Sequence, residues 1–171
     1  MRRRQGTGQK TPDRAVKAYR MKASMAEPAT QHAALCYRRI GGGCEILLVT
    51  SRDTGRWVLP KGWPKKDEPG GTAALREAAE EAGVSGHLVP GGMGHYFYDK
   101  VMPSGPPLPC SVSMHVIEVA HLAYDFPEKA VRRRMWFSPF AAAAAVDEPG
   151  LKTILATFHP PPAGRTGTQK A

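Results

Sequence analysis

The stretch from Pro69 to Gly83 constrains this chain more than any other. Pro69-Gly70-Gly71 opens it, Gly83 closes it, and Thr72 to Ala82 between them is built of strong helix formers. Leu75, Ala79 and Ala82 fall at i, i+4 and i+7 and predict the buried stripe, which Ala78 widens. On the same helix Glu77, Glu80 and Glu81 stand at i, i+3 and i+4, which places three carboxylates on one face within about 6 Å of one another. Like charges so placed oppose helix formation. Arg76, four residues before Glu80, offsets part of the repulsion, and a bound cation would remove the rest. The donors are hard oxygens with no His or Cys nearby, which favours Mg²⁺, or Mn²⁺ in its place, over zinc, copper or iron. Held by a few carboxylates, such an ion keeps positions for phosphate oxygens and an activated water.

Around this helix the chain alternates strand and helix patterns. Ala33 to Ile40 and Glu45 to Ser51 read as strands joined by Gly41-Gly42-Gly43, and Trp57-Val58-Leu59 is a short apolar run that ends at Pro60 and a Lys61-Gly62 loop. Further strands are expected at Tyr96 to Val101, Val112 to Val119 and Arg134 to Phe137. Ser138-Pro139 supplies an N-cap and first position for a helix to Val146, and Leu151 to Phe158 predicts a last helix. There is no repeat and no glycine-rich dinucleotide fingerprint. A single α/β domain over 31–158, a sandwich with a mixed sheet, is the expected architecture.

The formal net charge of +9 raises the question of nucleic acid, and its distribution matters more than its size. Residues 1–25 carry eight Lys/Arg against Asp13, or +7, while the remaining 16 Lys/Arg and 14 Asp/Glu leave +2. We therefore read 1–30 as a basic disordered arm, 159–171 as a flexible tail, and contact with nucleic acid as confined to the arm. Met21 and Met25 leave open a later translation start. No apolar run approaches the roughly 18 residues needed to cross a bilayer, so a cytoplasmic protein without membrane contact is expected. Cys36, Cys44 and Cys110 form no CxxC pair and suggest reduced thiols rather than a disulfide framework or a zinc site.

Taken alone, Arg76-Glu77-Ala-Ala-Glu80-Glu81-Ala-Gly83 reads better as a solvated surface helix ending at a glycine cap. The longer segment changes that reading: Gly62, five residues, Glu68, seven residues, Arg76-Glu77, apolar Ala78, any, Glu80-Glu81, any, Gly83, apolar Val84. Seven fixed identities plus two apolar sites arise by chance in fewer than about one in a million chains of this length. In this segment the chain resembles the Nudix superfamily. From Gln31 to Phe158 it is similar to the branch containing the diphosphoinositol polyphosphate phosphohydrolases, whose members also hydrolyse diadenosine polyphosphates. Thr50-Ser51-Arg52, Arg56-Trp57-Val58-Leu59-Pro60 and Arg132 to Phe137 add to the likeness.

The resemblance implies a Nudix-type α/β/α sandwich and a Mg²⁺-dependent diphosphatase acting on a small polyphosphorylated substrate. By position, Glu77, Glu80 and Glu81 would bind metal together with the Lys61 carbonyl, and these residues would form the catalytic centre with Arg76. Arg76 and Glu68 would hold loop and helix in place. Ser51, Arg52, Lys61 and Arg133, and more weakly Arg132 and Arg134, would contact phosphates. Where the inositol-pyrophosphate enzymes carry paired basic residues, this chain has Gln31-His32, and where they carry a basic run it has Met102 to Pro109. Fewer cations favour a dinucleoside polyphosphate over a crowded inositol ring, with Lys65, Lys66 and Lys100 compensating in part.

Other residues have plainer readings. Trp57, Trp136 and Phe137 are expected in the core, Tyr96 and Tyr98 in strand packing with adenine stacking as the alternative, and His32 and His115 as separate structural histidines. Glu118 reads as a surface carboxylate, with metal binding as its alternative. The general base is unassigned, and so is the oligomeric state. Two other functions stay open: an RNA 5′-end pyrophosphohydrolase, suggested by the arm, and a non-enzymatic polyphosphate-binding module, which the three retained carboxylates disfavour.

Overall fold

The structure is a computed structural model that describes residues 27–91 and 94–162. The arm expected at 1–30, with Met21 and Met25, falls almost wholly outside the described residues, as does most of the tail expected at 159–171. Eight strands form one sheet: β1 (Ala29–Ile40), β2 (Gly43–Thr50), β3 (Trp57–Val58), β4 (Lys61–Gly62), β5 (Val84–Leu88), β6 (His95–Lys100), β7 (Leu108–Leu122) and β8 (Arg134–Phe137). Three helices complete it: α1 (Gly70–Ala82), α2 (Pro139–Ala145) and α3 (Pro149–Ala156). The order β3-β2-β1-β7-β5 forms the main path, with β4 on β1, β6 on β7 and β8 on β2. β1 and β7 run parallel, from Ala29 opposite Cys110 to Tyr37 opposite Glu118, and every other pairing is antiparallel. The sheet is mixed, as expected.

β1 shows why the run Ala33 to Tyr37 lacks simple alternation: all five residues are fully buried, because helices cover both faces of the sheet. Ala33, Leu35 and Tyr37 face a cluster with Ala142, Leu151, Leu155 and Phe158 of the α2–α3 layer. Ala34 and Cys36 face Ala74, Ala78 and Ala82 of α1. This is an α/β/α sandwich.

Several expectations are corrected. The buried side of α1 is Ala74, Ala78 and Ala82 together with Glu77 and Glu81, while Ala79 is exposed and Leu75 half-buried. A stripe drawn from apolar residues alone misplaces the face, because here two carboxylates are buried with partners. The expected Lys61-Gly62 loop is strand β4, paired with His32 and Ala33. β5, Val-Ser-Gly-His-Leu, gave no strand signal. It forms by pairing with the well-formed β7 across a bulge between Ser85 and Gly86. At Gly86 a Cβ would lie 2.3 Å from the Glu118 carbonyl oxygen, so glycine permits the close approach. Ser138 does cap α2, its Oγ accepting from the Ala141 N–H at 3.3 Å, with Pro139 in the first turn. The three cysteines are free and buried.

Candidate functional site

α1 ends at Gly83 in the left-handed region (φ 64°), whose N–H returns to the Ala78 and Ala79 carbonyls, so the last turn holds its carboxylates on a rigid element. At the other end Arg76 ties the incoming loop to the helix. Its Nε and Nη2 donate to Glu68 Oε1 and Oε2, both at 3.0 Å, and Nη2 also donates to the Trp63 carbonyl at 3.0 Å. The two-pronged guanidinium contact and the Lys65 N–H hold the Glu68 carboxyl down, to about 2. Arg76 Nη1 reaches Glu77 Oε1 at 2.6 Å and Glu80 Oε2 at 3.4 Å. Two of the three carboxylates therefore meet at one guanidinium.

Glu81 is offset by a second cation, Arg132, whose side chain is 6% exposed. Arg132 donates to Glu81 Oε1, to Glu128 Oε2 at 2.5 Å and to the Thr50 carbonyl at 2.8 Å. Burial pushes the Glu81 carboxyl up, to about 7, against the opposing pull of Arg132 and Lys61. Beside it, the Lys61 N–H donates to Glu81 Oε2 at 3.3 Å, and a Cβ on Gly62 would lie 2.2 Å from Glu77 Oε1. The Lys61–Gly62 peptide thus runs between two buried carboxylates, at a point where only glycine fits. The Lys61 ammonium lies 5.3 Å from the Tyr98 ring centroid, and burial lowers its pKa against the opposing pull of Glu81 and Glu148.

On the far side of Arg132 an open cleft of about 340 Å³ is lined by Ser51, Arg52, Lys129, Arg132 and Arg133, among others. Arg52 is 61% exposed on its side chain, with Glu128 3.8 Å away, and Ser51 Oγ shares a 2.6 Å hydrogen bond with Thr54. The three consecutive arginines have separate surroundings. Arg132 is paired inside, and Arg133 faces the cleft, its guanidinium 5.9 Å from the Trp57 ring. Arg134 donates to the carbonyls of Ala82 at 2.5 Å and Ala123 at 2.7 Å, which closes the C-terminal end of α1. Arg132 and Arg134 are therefore occupied within the fold rather than free for phosphate.

The model of the NUDIX domain matches residues 29–158. The chain belongs to that family. It is 33% identical over 128 residues to Nudix hydrolase 21, chloroplastic, of Arabidopsis thaliana, covering 71% of this chain and 61% of that one. It is 33% identical over 107 residues to the human diphosphoinositol polyphosphate phosphohydrolase 3-alpha, covering 61% of each chain. The chain thus spans about three fifths of the length of these relatives. The fold is shared with the Ap4A hydrolase of C. elegans at TM-score 0.55 and 19% identity, over 76% of this chain and 95% of that one.

Within this NUDIX domain, no three His, Cys, Asp or Glu side chains among the described residues form a ready-made metal cage, since the carboxylates turn to guanidinium partners. The donor set nonetheless suits a hard cation. It consists of oxygens, Glu77 and Glu80 already share one cationic partner, and Glu77 and Glu81 flank the Lys61–Gly62 peptide. Glu118 lies apart on β7, accepting from Tyr37 at 3.0 Å and Arg39 at 2.8 Å, contacts that keep its pKa low. His32 and His115 are not separate: their ring nitrogens meet at 3.1 Å beneath Gly70, where a Cβ would lie 2.4 Å from the His32 ring. Sequence reasoning missed three features. They are the Arg132–Glu81 pair, Lys129 in the cleft, and the half-buried Arg56–Glu148 pair at 2.5 Å. All join residues distant in the chain, so no periodicity signals them.

Proposed function

We propose that this NUDIX domain is a Mg²⁺-dependent hydrolase that cleaves a phosphoanhydride bond in a small polyphosphorylated substrate, preferring a dinucleoside polyphosphate to a diphosphoinositol polyphosphate. One observation carries the reading: the carboxylate helix and the basic cleft adjoin, with Arg132 touching both. Glu77, Glu80, Glu81 and the Lys61 carbonyl would hold Mg²⁺, or Mn²⁺ in its place. When bound, the ion would polarise a phosphate oxygen and favour ionisation of a bound water. Arg52, Lys129 and Arg133 would hold the phosphate chain by charge-assisted hydrogen bonds, with Ser51 as a neutral donor. Arg76 would keep the Glu68 loop and Glu77 in register. The relatives named for diphosphoinositol polyphosphates and Ap4A support the substrate class, and the scarcity of cations at Gln31-His32 and Met102 to Pro109 supports the order of preference.

The experiment is a phosphate- and nucleotide-release assay at one ionic strength, with Mg²⁺ and with EDTA. Its substrates are diadenosine tetraphosphate and a diphosphoinositol pentakisphosphate. Metal-dependent turnover with the larger kcat/KM for the dinucleotide is expected. Turnover indifferent to EDTA would refute the metal site, and a preference for the inositol compound would refute the substrate order.

A further inference from the structure

A second open cleft lies beside the phosphate cleft, and the reaction as described gives it no role. It measures about 710 Å³ and is lined by Asp125, Phe126, Pro127, Lys129 and Ala130, of which Lys129 and Ala130 also line the phosphate cleft. That volume falls within the roughly 300–1,000 Å³ usual for small-molecule sites. Its walls belong to the segment 123–131 between β7 and β8, which is pinned to the end of α1. The Ala123 N–H donates to the Gly83 carbonyl at 2.8 Å, and the Glu128 N–H to the Glu80 carbonyl at 3.1 Å. Phe126 is held by Arg134, whose guanidinium lies 4.6 Å from its ring centroid, and by Gly83, where a Cβ would come within 3.0 Å of the ring. The solvent side carries an aromatic ring and an acceptor. Tyr124 is 85% exposed, with the Lys129 ammonium 3.5 Å from its ring centroid. The Asp125 carboxylate is 90% exposed and lies 3.8 Å from the same ammonium. A lone exposed tyrosine would need no explanation. Here the ring stands against a cation that lines both clefts.

We propose that this cleft takes the nucleoside end of the substrate, with the base stacked on Tyr124, an amino or ring N–H of the base donating to Asp125, and Lys129 holding the phosphate nearest the sugar. The order of groups along the surface matches the order along a nucleotide. Arg52, Arg133 and Lys129 offer positive charge to a phosphate chain, and past Lys129 come the apolar Phe126, Pro127 and Ala130, an open aromatic ring and a carboxylate. A carboxylate at this point accepts from a base and repels a further phosphate, which tells against an inositol ring phosphorylated on all sides. Stacking needs only a planar face, which every base supplies. Because the segment is already tied to α1, little ordering is left to be done on binding. The subsite rests on the polyphosphate reading of the adjoining cleft and names what binds beyond the phosphates.

Calorimetric titration with α,β-methylene ADP and with methylenediphosphonate tests it in the presence of Mg²⁺, since the two ligands differ by the adenosine and their P–C–P bridge resists hydrolysis. Tyr124→Ala should raise the Kd for the nucleotide roughly tenfold, the scale of one stacked base, and leave that for the diphosphonate unchanged. Tyr124→Phe keeps the ring and should stay within about twofold of the unmodified protein. Asp125→Ala should weaken the nucleotide several-fold without weakening the diphosphonate. Both side chains are exposed, so Tm should hold in all three variants. Equal shifts for the two ligands would show that Tyr124 acts only through Lys129. That result would overturn the subsite, as would an unchanged nucleotide Kd in Tyr124→Ala or no nucleotide binding at all. Tyr124-dependent nucleotide binding in a protein that cleaves no dinucleoside polyphosphate would uphold the subsite and refute the hydrolase. Cleavage of diadenosine tetraphosphate with a KM unchanged in Tyr124→Ala would do the reverse.

Discussion

The two faces of the sheet are built on opposite terms. Against the α2–α3 layer, Leu35, Ile46, Leu48, Leu151, Leu155 and Phe158 pack as an apolar cluster in which all six are buried. Against α1, small residues such as Ala74 and Ala78 share the interface with Glu77 and Glu81, which are 9% and 6% exposed. Burying carboxylates is costly unless they are paired, and Arg76 and Arg132 provide that pairing. The α1 face buries two carboxylates held by guanidinium partners, while the α2–α3 face, Glu148 at its edge apart, is an apolar cluster. Damage on the two sides should therefore separate into lost activity and lost stability.

The sharpest way to break this contrast is to neutralise the carboxylates singly. Glu80→Gln and Glu81→Gln should each lower kcat by about two orders of magnitude or more, since metal-assisted stabilisation of a phosphoryl oxygen is worth several kcal/mol. Circular dichroism should show the fold intact, and near-normal turnover in both would end the assignment of this face. On the other face, Leu155→Ala should lower unfolding free energy by about 2–5 kcal/mol while the folded fraction keeps its kcat, as paired denaturation and kinetic measurements would show.

Arg76 joins both kinds of effect because it touches Glu68, Glu77, Glu80 and the Trp63 carbonyl at once. Arg76→Ala should reduce activity and lower Tm together, and Arg76→Lys should recover less than half of either, since an ammonium cannot reproduce the fork on Glu68. Full recovery by lysine would show that charge alone suffices. A milder effect is expected at the cleft, where Arg52→Ala should raise KM for the polyphosphate roughly tenfold with little change in kcat.

Cys36 offers the smallest and cleanest reading of the α1 face. It is fully buried beneath the helix, and burial pushes its thiol up to about 12. The neutral thiol therefore favours the folded state at neutral pH. That contribution is lost as pH rises through the window from the unfolded thiol's value, near 9, towards 12. Native protein at pH 8 should leave Cys36 unmodified by iodoacetamide, with labelling appearing on denaturation. Rapid native labelling would mean that this interface opens far more readily than its packing implies.

The sequence by itself determined the local elements and the motif. Pro69 and Gly83 bound α1: Pro69 stands at the N-cap in the extended region, and glycine adopts the left-handed conformation at Gly83 without strain. The i, i+3, i+4 spacing put Glu77, Glu80 and Glu81 together because a helix has a fixed period. Ser138-Pro139 announced α2 for equally local reasons. Tertiary structure decided the rest: that β5 exists at all, that His32 meets His115 across 83 residues, that Arg132 and not Arg133 pairs with Glu81, and that Glu148 is buried against Arg56 from 92 residues away. The reason is physical. Helix caps and side-chain periods are fixed by bonds within a few residues. The partner of a buried charge is chosen by whichever opposite charge the sheet pairing brings within reach, and pairing register is a property of the assembled sheet.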